Sequence, residues 1–291
     1  MRKTVLLVTY FVANVFIIST LYGKKPPKEQ KSTLLVGFYG GINFSKPQII
    51  NSYNILETMD HNTSIEGKDY KSIFQNLGSQ FGFITFYPVA GNFHVGLLPS
   101  FSTYTYNYNT ANSWFDPDLP EMSINQIFNH KQKLRYVEIP LVARYYFGTA
   151  ALKPYLHGIF SYGILHSADK IVDSEINITQ GETPIPINSM GNSASYNNSY
   201  ITSKLDIGGG AGISYDFNQL ILTLDLSYVM NLNNITNEKA RYDNPNFTGA
   251  SYDIQDDIKL NNLFINLGLI FPINKITKRG SVECTYFKTR K

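Results

Sequence analysis

The sequence predicts an all-β protein: an eight-stranded antiparallel up-and-down transmembrane β-barrel with four long outer loops. Three observations carry that expectation. Apolar and polar residues alternate in eight segments, and helical periodicity is almost absent. The connections between these segments alternate short and long. Aromatic residues gather at the segment ends joined by the short connections. With 43% hydrophobic and 16% charged residues, the chain is too apolar for disorder and too polar for a bundle of membrane helices.

The N-terminus reads as an address. Arg2 and Lys3 precede an apolar run from Val5 to Ile18, followed by Ser19, Thr20 and Gly23. A charged start, a short apolar stretch and small residues describe a secretory signal peptide over residues 1–23. The run is shorter than the ~20 apolar residues of a spanning helix, which argues against an uncleaved anchor. Residues 24–32, mostly KKPPKEQK, read as a periplasmic linker, residues 33–273 as the barrel, and residues 274–291 as a basic C-terminal tail. The one cysteine, Cys284, excludes a disulfide framework.

The net charge of +3 conceals a segregation. Residues 1–31 and 274–291 each carry +5, which leaves −7 for residues between them. Basic ends alone would suit nucleic acid or an anionic membrane surface. Their position after a signal and around a barrel favours the membrane, and no nucleic-acid partner is expected.

The strands are expected at about 33–45, 78–88, 93–106, 133–147, 154–167, 204–217, 220–232 and 261–273. The first turns Gly37 and Gly41 toward the polar side. The second and third are joined by Val89–Asn92, and Pro99 interrupts the third, where a ladder donor is lost. The fourth sets Val137, Ile139, Leu141, Ala143, Tyr145 and Phe147 against Glu138 and Arg144, with Pro140 posing the same difficulty. Gly148–Lys153 leads to the fifth. The sixth sets Leu205, Ile207, Ala211, Ile213, Tyr215 and Phe217 against Asp206, Gly208, Gly210, Gly212, Ser214 and Asp216. Asn218–Gln219 leads to the seventh, where Leu220, Leu222, Leu224, Leu226 and Tyr228 oppose Thr223, Asp225 and Ser227. The eighth sets Leu263, Ile265, Leu267, Leu269 and Phe271 against Asn266 and Gly268.

The remaining connections, 46–77, 107–132, 168–203 and 233–260, are too long for a compact soluble domain. Outer-membrane barrels have such loops on one side, short periplasmic turns and a lipid-facing apolar band. Tyr87, Phe93, Tyr145, Phe147, Phe217 and Phe271 are expected to form a periplasmic aromatic girdle. The competing reading, a soluble barrel or sandwich with the apolar face inside, leaves the loop asymmetry unexplained.

Several stretches resemble one family. Val36–Ser45 (VGFYGGINFS) looks like the opening strand of PorT-family outer-membrane β-barrel proteins of Bacteroidetes. Tyr136–Phe147 (YVEIPLVARYYF), followed by Lys153, Pro154 and Tyr155, resembles that family's central hairpin, and Asp206–Phe217 (DIGGGAGISYDF) its Gly-rich strand. The resemblance implies the barrel fold, a Pro at Pro140 and a bacterial outer-membrane location. Through one secretion-linked relative it implies, as an alternative role, an accessory component of a type IX-like secretion or assembly system.

No catalytic, cofactor or metal signature is present, so no catalytic residue, cofactor or metal is expected. Gly208–Gly212 lacks the helix and Lys of a phosphate loop. The nearest approach to a lipid A-modifying set is His166, Ser167 and Asp169, but strand alternation puts His166 and Ser167 on opposite sides. Glu138, Arg144, Asp206 and Asp225 share the polar face and are expected to form a lumen polar network, since an eight-stranded barrel leaves an interior filled by side chains. Asp116 and Asp118, and Asp253, Asp256 and Asp257, read as acids of solvated outer loops, with a divalent bridge to lipopolysaccharide as the alternative. The expected function is non-enzymatic: long surface loops for binding or envelope organisation. The expected partners are outer-membrane lipid and lipopolysaccharide, with envelope or secretion proteins as further candidates, and the expected state is a monomer.

Overall fold

The computed structural model describes residues 34–53, 63–65, 67–116, 119–180, 183–217, 219–242 and 253–273. The signal and linker assignments, and the tail with Cys284, lie outside the described residues.

Twelve strands are present among these residues. They are β1 (Leu34–Asn51), β2 (Thr63–Ile65), β3 (Asp69–Tyr70), β4 (Leu77–Ala90), β5 (Phe93–Leu97), β6 (Ser100–Asp116), β7 (Leu119–Tyr146), β8 (Leu152–Gln180), β9 (Thr183–Ser195), β10 (Ser203–Asp216), β11 (Ile221–Asn231) and β12 (Asp257–Ile273). All their pairings are antiparallel. β1 pairs β4, β4 pairs β5 and β6, both of these pair β7, and the ladder continues through β8, β10, β11 and β12 back to β1.

The expected count of eight strands is therefore corrected. Pro99 cuts the third strand into β5 and β6, since it cannot donate to either neighbour. The backbone around the cut stays satisfied: Phe83 N donates to the Pro99 carbonyl and Leu98 N to the Pro140 carbonyl, each at 2.9 Å. Pro140 itself remains within β7, opposite Ser161. The other additions, β2, β3 and β9, lie in segments assigned to loops.

Those loop assignments are corrected too. The segments 107–132 and 168–203 are largely strand: β7 has 28 residues and β8 has 29, against the 9–11 a bilayer requires. Tyr104–Asn109 shows why. It keeps the two-residue alternation, but as Tyr against Thr and Asn, so the apolar signal fades while the backbone ladder continues in water. The barrel rim is consequently uneven. β6, β7, β8 and β9 rise as a sheet beyond Arg135, and the β1–β12 side stops lower.

Burial is inverted around the belt. Phe38, Ile42, Phe81, Phe83, Ile139, Phe160, Leu224 and Leu267 are exposed, and Glu138, Arg144, Lys204, Asp206 and Asp225 are buried. A water-facing exterior would make this arrangement costly; a lipid-facing one makes it favourable. At the short-turn end, Gly91 (φ 50°) and Gly148 (φ 78°) adopt left-handed backbone, which a side chain would disfavour. Of the proposed girdle, Tyr87, Phe93, Tyr145, Phe217 and Phe271 are exposed. Phe147 is half-buried and meets Tyr145 edge-on at 5.0 Å.

Candidate lumen site and outer cap

Strand alternation turns every second side chain inward, and the glycines of β10 leave room for what comes from β8. A Cβ on Gly212 would stand 2.3 Å from the Tyr155 ring, so the tyrosine can lie across the lumen only because Gly212 has none. Its hydroxyl donates to the Asp225 carboxylate at 3.0 Å. The same carboxylate oxygen lies 3.6 Å from Arg144 Nη2 and 3.4 Å from His157 Nδ1. The Arg144 guanidinium sits between two rings, 4.4 Å from the centre of Phe86 and 4.1 Å from that of Tyr155. Its Nη1 donates to the Tyr146 hydroxyl at 3.2 Å.

The second cluster is nearer the outer side. Lys204 Nζ lies 2.6 Å from Glu138 Oε1 and 2.8 Å from Asp206 Oδ2. Ser102 and Tyr104 hydroxyls donate to Glu138 at 2.6 and 2.7 Å, and Asn231 Nδ2 donates to Asp206 at 2.8 Å. The Lys204 ammonium also faces the Tyr104 ring at 4.2 Å. The four lumen residues singled out in the sequence thus fall into two groups, Arg144 with Asp225 and Glu138 with Asp206. Lys204 and His157 were not singled out. Each shares the polar parity of its strand, Lys204 with Asp206 and His157 with Tyr155 and Ser161, and that parity was the available signal.

A cavity of about 70 Å³ connects the clusters, lined by Glu138, Asp206, Ser161, Arg144, His157 and Asp225 among others. Among the described residues, Arg144 Nε, His157 Nδ1 and Ser161 Oγ have no hydrogen-bond partner. The space suits a few bridging waters. Among the described residues no group of His, Cys, Asp and Glu could hold a metal ion.

Above the clusters, residues 253–257 fold over the mouth. This overturns the reading of Asp253, Asp256 and Asp257 as solvated loop acids: all three are buried, and each meets a cation from a different part of the outer region. Asp253 pairs with Lys170 and accepts from Tyr108 at 2.6 Å. Asp256 pairs with Lys68 at 2.8 Å and accepts from Tyr70 at 2.8 Å. Asp257 pairs with Arg241. Sequence reading had no access to these cross-loop partners. The side chain of Asp116, and residue Asp118, lie outside what the structure describes.

The cap's electrostatics follow from its burial. Burial would raise the Asp253 carboxyl, but Lys170, His130 and Lys68 around it hold it well below the usual carboxylate range. His130 stacks on Tyr108 with ring centres 4.6 Å apart, and burial pulls its imidazole down to about 3.

His166 and Ser167 are not organised for catalysis. The register slips between Arg135 and Tyr136, which pair with Ser167 and Leu165, so His166 forms a bulge and simple alternation fails there. Ser167 and Asp169 both receive Arg135 Nη1, at 2.8 and 2.6 Å. The imidazole instead lies edge-on to Phe101 at 5.8 Å.

An antiparallel ladder that returns to its first strand, apolar outside and charged within, defines a membrane-spanning β-barrel. The family comparison agrees and is more specific. A family model described as "Outer membrane protein beta-barrel domain" matches residues 25–237, and the chain belongs to that family, which places it in the bacterial outer membrane. A comparison with curated proteins gives no match. Among solved structures, the chain is similar to OprG of Pseudomonas aeruginosa, with 13% identity and a TM-score of 0.37 over 83% of this chain and 97% of that one. It is also similar to Neisserial surface protein A, with 10% identity and a TM-score of 0.33 over 81% and 96%. A third is Ail, the attachment invasion locus protein of Yersinia pestis, with 13% identity and a TM-score of 0.30 over 81% and 98%. At these identities the likeness concerns the fold alone.

Proposed function

We propose that this protein is a monomeric, non-enzymatic outer-membrane barrel of eight staves, with β5 and β6 counted as one, that carries a binding surface outside the cell. Its short turns and both termini face the periplasm, and its outer segments face the exterior. The resemblance to PorT-family proteins fits this reading. The Arg144 and Lys204 clusters occupy the middle of the lumen, which speaks for a structural lumen rather than a solute path. The observation that carries the proposal is the length of β7 and β8, 28 and 29 residues. Above Arg135 they extend on the order of 40 Å at ~3.3 Å per residue, far more than a bilayer needs. Ordered backbone of that extent serves to hold a surface away from the membrane, where a partner of the envelope or environment meets it.

Epitope tags test the topology. A tag inserted at residues 117–118 should bind antibody on intact cells, and a tag at Gly91–Asn92 only after permeabilisation. The reverse pattern refutes the orientation. Deleting the β6–β7 and β8–β9 tips should abolish the surface phenotype while leaving a folded barrel in the membrane. An unchanged phenotype sinks the binding role.

A further inference from the structure

β7 changes character along one face. Val137, Ile139 and Leu141 point outward and are exposed. The next three positions of the same face, moving away from the membrane, are Arg135, Lys133 and Lys131. Alternate residues lie ~6.6 Å apart, so these cations form a stripe of about 13 Å starting where the apolar stripe ends. Arg135 is fixed by Asp169 and Ser167. Lys131 is exposed and Lys133 half-buried, and neither has a hydrogen bond or ion pair to a described residue.

The neighbours leave the positive charge in place. On β6, Thr103, Thr105 and Asn107 stand opposite Arg135, Lys133 and Lys131. On β8 the partners are Ser167, Asp169 and Ile171. Three cations thus face one acid, amid the hydroxyls of Thr103, Thr105 and Ser167, which can donate to phosphate. The next acids of β8, Asp173 and Glu175, stand opposite Asn129 and Ile127, farther from the membrane. Positive charge is therefore concentrated at headgroup height and negative charge above it.

We propose that Lys131, Lys133 and Arg135 form a docking site for the phosphate of an anionic lipid headgroup, whose acyl chains lie along Val137, Ile139 and Leu141. The proposal rests on the reading of the chain as an outer-membrane barrel. A soluble anionic protein would not need a cationic stripe that continues an apolar one; a lipid, charged at one end and apolar at the other, matches both. Arg135, preset by Asp169, orients the phosphate, and the two lysines neutralise it.

The test uses the full barrel in phosphatidylcholine nanodiscs carrying a trace of spin-labelled lipid. Wild type should prefer phosphatidic acid and lipid A over phosphatidylcholine by about fivefold or more, the worth of one basic side chain at an anionic surface. The K131Q/K133Q variant should fall to near parity. K46Q/K259Q makes the same charge change on β1 and β12, whose outward cations lie at the other side of the rim, and should keep the preference. Absence of preference in wild type, or equal loss in both variants, overturns the docking site. Displacement of the lipid by millimolar inorganic phosphate also overturns it, because the stripe would then recognise a free ion. Heat-modifiable gel migration separates the two readings: if wild type lacks it, the barrel itself is refuted.

Discussion

The belt and the outer extension share strands but obey opposite rules. Along β7 the inward residues are Phe128, His130, Leu134 and Tyr136 above, then Glu138 and Arg144 below. The outward ones are Lys131, Lys133 and Arg135 above, then Val137, Ile139 and Leu141 below. The apolar phase changes sides near Arg135 although the two-residue period never breaks. On β8 the apolar side changes too, but across the bulge at His166, where the register slips: Ala168 and Val172 are buried above it, and Leu156, Phe160 and Ile164 are exposed below. The surrounding solvent decides which face is apolar. Water outside calls for an apolar interior, and lipid outside allows the charges to be inside, where they must find partners.

That contrast can be broken at defined points. The largest effect is expected from Arg144→Leu, which leaves the buried Asp225 carboxylate without its guanidinium. Loss of one partner from a buried pair costs about 3–5 kcal/mol, read as a drop in the urea midpoint of the folded barrel in lipid vesicles. A change under 1 kcal/mol would mean that lumen water, not Arg144, supports Asp225. Next comes a matched pair of lysine insertions on outward positions. Ile139→Lys, in the belt, should cost about 2–4 kcal/mol; Ile171→Lys, in the extension, should cost almost nothing. Equal costs in the same assay would deny that the phase change marks the membrane edge.

The third effect is graded and separates the halves by pH. His130 is pulled down from 6.5 to about 3, so the unfolded imidazole binds its proton first. The stability it contributes is complete above pH 6.5 and is lost as pH falls from there toward 3. Asp253 is also lowered, so its contribution is present above its ordinary value of 3.8 and is lost below it. Both signs agree that acid loosens the cap. The hydrogen-exchange protection factors of residues 253–257, measured relative to the intrinsic rate at each pH, should fall below pH 6.5 in wild type and less in His130→Gln. A protection factor that is constant from pH 7 to 4 contradicts the assignment of His130 to the cap's core.

The periodicity of the belt strands was legible because lipid demands one apolar face, and Leu222–Tyr228 and Leu263–Phe271 show it without ambiguity. The parity that put Glu138, Arg144, Asp206 and Asp225 on one face came from the same pattern. Legibility ended where the solvent changed. Tyr104–Asn109, Asn129–Leu134 and Ala168–Asp173 belong to ladders in water, where Asn and Thr are as acceptable as Leu is in lipid, so the outer parts of β6, β7 and β8 look like loops in composition.

By itself the sequence determined which face of each belt strand meets lipid, because side chains alternate strictly along a strand and lipid tolerates few charges. Only the tertiary structure decided which charges pair. Lys204 joins β10 to Glu138 of β7, Lys170 joins β8 to Asp253 of the cap, and Tyr155 reaches Asp225 over Gly212. Such pairings depend on register and on the stagger between strands distant in the chain, and no local pattern encodes either.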